Sequence, residues 1–206
     1  MSNEGNVFII DDDELVLDSV KAVLSQYGYS PECFRSADQF LHQAPLHKPG
    51  CVVSDLKMPG TDGLQLQERL AAVESMLTIV ILTGYADVPT AVRVMRNGAA
   101  TLLEKPYRAH DFLISVQQGI ESSNRRWQAR QLELDVRAKL ATLTEGELQV
   151  VKLMLSAAPN KLIASTLDLG MRTVDRRRQA IYSKMGVSTV AELATLLSTT
   201  CPETVE

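Results

Sequence analysis

The stretch VVSDLKMPGTDG, residues 52–63, takes the chain from an apolar run directly to a carboxylate, Asp55. Four apolar or small residues, 51–54, precede this aspartate, and Pro59 and Gly60 break the chain soon after it. Such a pattern is typical of a buried strand in a parallel sheet that ends in a loop. In open α/β sheets, functional groups gather at the carboxyl ends of the strands. A lone aspartate at this place is more often a turn residue, so the other strand ends must decide between the two interpretations.

Composition favours a globular chain. Of the 206 residues, 45% are hydrophobic, which is typical of folded proteins and not of disordered ones. No apolar run approaches the roughly 20 residues that a membrane span requires, and the polar, acidic start MSNEGNV does not resemble a signal peptide. Three cysteines, Cys33, Cys51 and Cys201, lie far apart without metal-ligand spacing, which favours reduced thiols and a cytoplasmic location.

Charge is distributed unevenly along the chain, although the net charge is only −4. Residues 1–122 carry 9 Lys and Arg against 16 Asp and Glu, whereas residues 123–206 carry 12 against 9. An acidic part and a basic part indicate two domains with different partners.

Short apolar runs alternate with amphipathic segments throughout the acidic part. The strand candidates are residues 7–10, 51–54, 78–83 and 101–103, with a weaker one at 30–34. The segments between them, such as residues 15–26, have apolar residues at helical spacing. This alternation predicts an α/β fold with a doubly wound, five-stranded parallel sheet and helices on both faces.

Polar residues follow the strong strand candidates. They are Asp11, Asp12 and Asp13 after the first strand, Asp55 after the second, Thr83 at the end of the third, and Glu104 and Lys105 after the fourth. Because the carboxyl ends of parallel strands share one edge, these side chains should converge there. Three neighbouring carboxylates repel one another unless a cation joins them, and Mg²⁺ with oxygen ligands resolves that repulsion. For Asp13 we prefer a solvated role at the start of the next helix.

Residues 5–122 resemble the receiver domain of two-component response regulators, through FIIDDDE, VVSDLKMPGTDG, ILTGYAD and EKPY. The resemblance implies a flavodoxin-like fold in which Asp55 accepts a phosphoryl group from the phosphohistidine of a sensor histidine kinase. It also implies that Asp12, Asp55 and the main-chain carbonyl of Lys57 ligate Mg²⁺, with Asp11 acting mostly through water.

The other strand-end residues suit phosphoryl transfer, which requires positioning and charge neutralisation. Lys105 supplies positive charge, and the Thr83 hydroxyl can donate to a phosphoryl oxygen. Pro106 suggests a fixed peptide, with cis as one option, that aims Lys105.

Two further features concern the switch and the lifetime of the phosphoaspartate. Lys57 and Tyr85 flank the expected path of hydrolytic water. Leu102 stands where the family carries Tyr or Phe, so we expect the switch to work through the Thr83 loop and the backbone.

The segment after residue 108 contains no proline up to residue 141 and only Gly119 as a helix breaker. It predicts a last receiver helix that continues into a helical linker at residues 123–141, with a break near 122–124 as one option. Leu132, Val136 and Leu140 are spaced by four, which suits either a coiled coil or packing on one of the domains. The predicted domains are therefore 1–122, the linker, and a smaller all-α domain at 142–206.

The basic part carries the pattern of a helix-turn-helix. Thr144 and Glu147 form a capping box ahead of an apolar stripe. The segments NKLIASTL, DLG and MRTVDRRRQAIYSKMG predict two more helices across a short turn. Val174, Ile181 and Met185 share one face of the last of these and should be buried. The run of three arginines requires a counter-charge, and DNA phosphate is the economical one.

Residues 142–200 resemble the LuxR-type helix-turn-helix, and the whole chain thereby resembles the FixJ branch of the NarL/FixJ response regulators. Gly170 and Met171 stand where the family has Ser and Pro. The resemblance implies double-stranded DNA as a partner and a homodimer that forms on phosphorylation, with RNA polymerase as a further candidate. The expected DNA contacts are bases for Asp175, Arg176 and Gln179, phosphates for Lys161, Thr173, Arg177 and Lys184, and the same exposed face for Arg172. The final helix offers Val190, Leu193 and Leu197 as a dimer face.

Two rival functions fit the sequence less well than the regulator does. A phosphohydrolase of the haloacid-dehalogenase type requires a second aspartate two residues after the nucleophile, where this chain has Lys57. A pure interaction module would not need the full set of Asp11, Asp12, Thr83 and Lys105. We therefore predict a protein that accepts and slowly loses its own phosphoryl group and is not a turnover enzyme.

Overall fold

The computed structural model of the chain describes residues 5–84 and 87–200, which form five strands and nine helices. The chain divides into two compact units between Trp127 and Gln128. Within the described ranges, no helix is long and apolar enough to cross a membrane.

The first unit alternates strands and helices along the chain. Its elements are β1 (Asn6–Ile10), α1 (Glu14–Gln26), β2 (Glu32–Phe34), α2 (Ala37–Gln43), β3 (Gly50–Asp55), α3 (Gly63–Ala72), β4 (Thr78–Thr83), α4 (Val88–Arg96) and β5 (Thr101–Glu104), followed by α5 (Ala109–Ala141), which continues past the division. All strands pair in parallel, in the order β2-β1-β3-β4-β5. This order confirms the predicted fold class. The chain winds in one direction from β1 to β2 and in the other from β3 to β5, so the topological switch point lies between β1 and β3.

Alternate residues of the central strands enter two different cores, which explains why these strands are apolar on both faces. Phe8, Val52 and Ile81 pack with apolar side chains from α2, α3 and α4. Ile9 and Val53, each one residue further along, pack with side chains from α1 and α5. The sheet is therefore covered by helices on both faces, as the sequence predicts.

Helix α5 is continuous beside Ser123, so the break that the sequence left as an option is not formed. The Ser123 hydroxyl is buried, where it accepts from the amide of Gly50 at 2.8 Å and donates to the carbonyl of Met76. Arg126 also donates to the Met76 carbonyl at 3.1 Å. Because the amino ends of β3 and β4 satisfy these polar groups, the serine-rich segment remains helical.

The second unit contains the C-terminal part of α5 and four further helices. They are α6 (Glu145–Leu155), α7 (Asn160–Thr166), α8 (Met171–Met185) and α9 (Val190–Thr200). The predicted capping box of Thr144 and Glu147 is confirmed. Val136 is fully buried in the core of this unit and Leu140 packs against it, whereas Leu132 is 43% exposed. Part of the segment predicted as a linker thus belongs to this core.

Helix α9 does not offer the dimer face that the sequence analysis assigned to it. Leu193 and Leu197 are completely buried, and Val190 packs against the same core. A regular apolar stripe on a terminal helix fits a core and an interface equally well. Here the domain's own core covers the stripe.

Gly119 is a site where helix propensity and packing should oppose each other. A Cβ at this position would lie 2.8 Å from Sγ of the buried Cys51. We expect Gly119→Ala to destabilise the first unit in urea unfolding by about 1–3 kcal/mol, despite a gain of about 1 kcal/mol in helix propensity.

The matched control is the same substitution in a Cys51→Ala background, where the contact is absent. There Gly119→Ala should be neutral or stabilising. A stabilising effect in the presence of Cys51 would show that the close contact does not control this position.

Candidate functional site

Asp11 and Asp55 lie side by side at the carboxyl edge of the sheet, and one ammonium group contacts both. Lys105 Nζ lies 2.7 Å from Oδ1 of Asp55 and 3.3 Å from Oδ2 of Asp11. Strand register explains the pairing, because Ile10 is aligned with Ser54 and each aspartate directly follows one of these two residues. Side-chain exposure is 6% for Asp11, 14% for Asp55 and 28% for Lys105, so the ion pairs are partly shielded from water.

Backbone amides hold the two carboxylates from the other side. The amide of Lys57 donates to Oδ2 of Asp55 at 2.7 Å, and the amide of Asp13 donates to Oδ1 of Asp11 at 3.0 Å. The Lys105–Pro106 peptide is cis, which is one of the options that the sequence left open. Each carboxylate therefore binds an amide with one oxygen and the ammonium with the other.

The pKa values reflect this crowding. Burial raises the pKa of Asp11, and the charge of Asp55 adds to the effect, while the Asp13 amide and Lys105 oppose it. Burial alone would lower the pKa of Lys105, but its hydrogen bond to Asp55 and the charges of both aspartates raise it. Lys105 thus stays protonated, and the site keeps a fixed positive charge beside Asp55.

The cluster of three carboxylates expected from the sequence is not formed. Asp12 is exposed, and its side chain has no hydrogen-bond or ion-pair partner within residues 5–84 and 87–200. In the same ranges, no three acidic, histidine or cysteine side chains are grouped so as to hold a metal ion. Lys105 contacts the carboxylates of Asp11 and Asp55 directly, and its positive charge offsets the repulsion between them.

The available oxygen donors nevertheless suit a hard cation. Mg²⁺ is commonly held by one or two carboxylates, with waters completing the octahedron. Asp55 and the exposed Asp12 provide two carboxylates, and Lys57, two residues after Asp55, provides a main-chain carbonyl. A metal site of this kind does not require three acidic side chains.

The remaining residues assigned to the first unit are placed as follows. Thr83 is buried at the end of β4, beside β5, and its carbonyl accepts from the amide of Lys105 at 2.7 Å. Leu102 is half-buried and packs against the core that contains α4. Asp13 caps α1 by accepting from the amide of Leu15, as the sequence predicts. Tyr85 lies outside the described residues.

Helix α8 separates an apolar face from a polar one. Val174, Ile181 and Met185 are buried, as the sequence predicts. The exposed face consists of residues spaced three or four apart, namely Arg172, Asp175, Arg176 and Gln179. Within the described part of the chain, the side chains of Arg172, Arg176, Gln179 and Lys161 make no hydrogen bond or ion pair. They remain available to a partner.

Two residues expected to contact phosphate are engaged inside the domain. Lys184 donates to the Glu147 carboxylate at 2.7 Å and to the Thr142 carbonyl at 3.0 Å. Arg177 donates to the carbonyl of Gly146 at 3.2 Å. The spacing of positive charges along α8 does not reveal these partners, which lie in the first turn of α6 and in the segment just before it. This arrangement argues against Lys184 as a phosphate contact.

A polar connection between α7 and α8 was not predictable from the sequence. Asn160 donates to Oδ1 of Asp175 at 2.9 Å and accepts from Arg178. Arg178 in turn donates to the hydroxyl of Tyr182 at 2.9 Å. Asn160 has no distinctive sequence pattern, since it is an isolated asparagine at a helix start. Arg178 belongs to the run of three arginines for which the sequence predicts DNA phosphate as the counter-charge, whereas here it contacts Asn160 and Tyr182.

Known families match both units. Residues 7–117 match the response regulator receiver domain, and residues 141–197 match the bacterial regulatory proteins of the luxR family. The chain belongs to the response regulators. Its architecture is that of a transcriptional regulator and not of a classical enzyme.

The relatives of this response regulator extend over nearly its whole length. It is 35% identical to Transcriptional regulatory protein FixJ of Bradyrhizobium diazoefficiens over 196 residues, which covers 95% of this chain and 96% of that protein. Response regulator protein TmoT of Ectopseudomonas mendocina is 31% identical, with 92% and 86% covered. The solved structure of response regulator StyR has a TM-score of 0.86 at 34% identity, with 94% and 98% covered. These likenesses support a two-component transcriptional response regulator of the FixJ branch.

The Glu147–Lys184 pair should stabilise the second unit of the response regulator in a pH-dependent way. The hydrogen bonds from Lys184 and the Thr144 amide hold the pKa of the Glu147 carboxyl below its ordinary value of 4.5. Because the folded-state pKa is the lower one, the stabilisation is fully present above pH 4.5 and is lost as pH falls through the folded-state value. Lys184→Ala should cost about 1–3 kcal/mol at pH 7, measured by urea unfolding.

Glu147→Gln should cost a similar amount at pH 7 and should also flatten the decline in stability at acidic pH. Glu145→Gln, at an exposed acid in the same turn, is the control and should change little. Unchanged stability in Lys184→Ala, combined with a loss of DNA affinity, would return Lys184 to the phosphate contacts.

Proposed function

We propose that Asp55 is the phosphoacceptor of this response regulator and that the donor is the phosphohistidine of a sensor histidine kinase. The observation that carries the proposal is the 2.7 Å contact between Lys105 Nζ and Oδ1 of Asp55 at the carboxyl edge of the sheet. In the transfer, an Asp55 oxygen forms a bond to phosphorus while the phosphorus–nitrogen bond to the kinase histidine breaks. The Lys105 ammonium neutralises charge on the acceptor and on the transferred group.

We propose Mg²⁺ as the cofactor, held by Asp12, Asp55 and the Lys57 carbonyl, with Asp11 acting through water. Bound there, the metal would supply the additional positive charge that phosphoryl transfer requires. The residues of the chain hold the acceptor in place. The amide of Lys57 and the ammonium of Lys105 fix the two Asp55 oxygens from different directions.

In the proposed switch, phosphorylation of Asp55 promotes pairing of the receiver with the receiver of a second copy of the chain. Thr83 donates to the phosphoryl group, and the backbone around Leu102 and the surface of α4 adjust to that movement. On α4, Val88, Val92 and Met95 are 77%, 44% and 49% exposed, which is an apolar surface that a second copy of the chain would cover. Lys57 and Tyr85 would set the lifetime of the phosphoaspartate by controlling access of water.

For the second unit we propose sequence-specific binding of double-stranded DNA by α8. The side chains of Arg172, Arg176 and Gln179, which are exposed and have no partner among the described residues, support this proposal, with Lys161 as a phosphate contact. A dimer would present two such helices to half-sites about 34 Å apart, and the second helix binds at high effective concentration. Thr173 stays a candidate phosphate contact, and so does Arg177, which would have to release the Gly146 carbonyl to reach a phosphate.

The proposed domain extents are 1–122 for the receiver, 123–141 for the connecting segment and 142–206 for the DNA-binding domain. RNA polymerase is the further partner that a transcriptional regulator would contact. We place this activity in the cytoplasm, where the thiols of Cys33 and Cys51 remain reduced.

Phosphorylation tests the first proposal. Acetyl phosphate with Mg²⁺ should add one phosphoryl group to the protein, and Asp55→Asn should add none. Asp11 is the other described carboxylate that contacts Lys105, but it lies further from the ammonium, at 3.3 against 2.7 Å, and its side chain is less exposed. Intact-mass spectrometry reads the adduct. Asp12→Ala should remove most of the labelling together with its dependence on Mg²⁺.

Asp18→Asn, at an exposed aspartate on α1, is the matched control and should label like the unmodified protein. Sedimentation of the protein with beryllofluoride, a phosphoryl mimic, should shift the monomer–dimer equilibrium toward the dimer. A phosphoryl adduct in Asp55→Asn would reject the assigned acceptor. An unchanged equilibrium with beryllofluoride would reject dimerisation as the switch.

DNA binding tests the assignment of α8. On the best site selected from random DNA, Arg176→Ala should cost about 1–3 kcal/mol and relax sequence preference, because a base contact is lost. Lys161→Ala should weaken all sites alike and flatten the salt dependence by about one unit, because a phosphate contact is lost. Equal effects of both variants on selected and random DNA would refute the division into base and phosphate contacts.

A further inference from the structure

Asn160, the first residue of α7, connects two oppositely charged side chains of α8. Its Nδ2 donates to Oδ1 of Asp175 at 2.9 Å, and its Oδ1 accepts from Nη1 of Arg178. The guanidinium of Arg178 also donates to the Tyr182 hydroxyl and lies 5.8 Å from the centre of that ring. Asn160 therefore links the exposed Asp175 to Arg178, which is itself held by the hydroxyl and the ring of Tyr182.

The primary amide of Asn160 matches both partners, because it carries a donor and an acceptor. The Asp175 carboxylate accepts hydrogen bonds and cannot donate, whereas the Arg178 guanidinium donates and cannot accept. A bridging group must therefore carry a donor on one arm and an acceptor on the other. This requirement also determines the orientation of the Asn160 amide, because the reversed orientation would set two acceptors and two donors against each other.

Without the amide, the Asp175 carboxylate has other partners on its own helix. Arg172 precedes it by three residues and Arg178 follows it by three, which is the spacing at which oppositely charged side chains pair on a helix surface. Either ion pair would turn the carboxylate along the helix. The amide of Asn160 lies between the carboxylate of Asp175 and the guanidinium of Arg178 and so prevents their direct pairing.

We propose that Asn160 is a positioning residue for sequence recognition: it holds the Asp175 carboxylate so that it accepts a hydrogen bond from the exocyclic amine of a cytosine. Carboxylates read cytosine N4 in the major groove, and an ordered acceptor loses less freedom on binding than a mobile one. Arg178, fixed on Tyr182, is the anchor of the device. The inference rests on the DNA binding proposed above for α8.

The experiment compares base preferences of the full-length protein. A binding site is selected from random DNA with the unmodified protein, and affinities are then measured for that site and for all its single-base variants. Asp175→Ala identifies the base pair that Asp175 reads, where discrimination should fall by about tenfold. Asn160→Ala should reduce discrimination at the same base pair, with discrimination elsewhere and affinity for random DNA unchanged.

The double variant Asn160→Ala with Asp175→Ala should lose no more discrimination than Asp175→Ala alone, because the two residues act through one contact. Ser165→Ala is the matched control on α7, since its hydroxyl bonds only back to the Leu162 carbonyl of that helix among the described residues. It should leave all base preferences intact.

Asn160→Asp separates positioning from helix stability. An aspartate at a helix start is favourable for the helix dipole, so a merely structural role would be preserved. In the proposed role, its second carboxylate repels Asp175 while still accepting from Arg178. Discrimination at the Asp175 base pair should then fall at least as much as in Asn160→Ala, while circular dichroism shows the same helix content as the unmodified protein.

The outcomes are distinct. Failure of the unmodified protein to select any sequence would overturn the proposed DNA binding and this inference with it. A selected site at which Asn160→Ala and Asn160→Asp both retain full discrimination would overturn only the inference. Uniform weakening on selected and random DNA would also overturn it, because Asn160 would then support the fold of α7 without positioning Asp175.

Discussion

The first unit depends on one electrostatic constraint, which is that two carboxylates must share the charge of a single ammonium. Asp11 and Asp55 become neighbours because β1 and β3 are adjacent parallel strands whose ends are in register. Their repulsion is tolerated because Lys105, which follows β5, contacts Asp11 at 3.3 Å and Asp55 at 2.7 Å. Strand order therefore determines the site: β4 lies between β3 and β5, and its last residue, Thr83, adds a hydroxyl at the same edge.

In the second unit, internal partners sort the positive charges of α8 by availability. Lys184 and Arg177 are bound by the start of α6, whereas Arg172 and Arg176 are exposed without such partners in the described chain. A cation that already has a buried carboxylate gains little from a phosphate, since it must give up one charge-assisted hydrogen bond to form another. A count of the arginines and lysines on α8 thus overestimates the number of positive side chains that are free to contact DNA phosphates.

Sequence periodicity predicted what depends on local patterns, and tertiary contacts determined the rest. Buried strands, the ends of those strands and the capping box at Thr144 are all set by residues close together in the chain. Continuity of α5 beside Ser123 depends on Gly50, 73 residues away, and burial of Leu193 depends on several other helices. Asp12 illustrates the same limit at the site, because adjacency to Asp11 does not tell which of two consecutive side chains points toward Lys105.

Helix α4 is attached lightly, and this suits the switch proposed for the receiver. It buries one side chain, Val94. Its other ties to α3 are the hydrogen bond from Gln67 to the Val94 carbonyl and an exposed ion pair between Arg93 and Glu68. An exposed ion pair contributes little, so displacement of α4 costs far less than unfolding of a core element. A phosphoryl group can shift an equilibrium only by its differential stabilisation of one state. A lightly attached helix with an exposed apolar face lowers the stabilisation that is required, even where Leu102 replaces the usual aromatic residue.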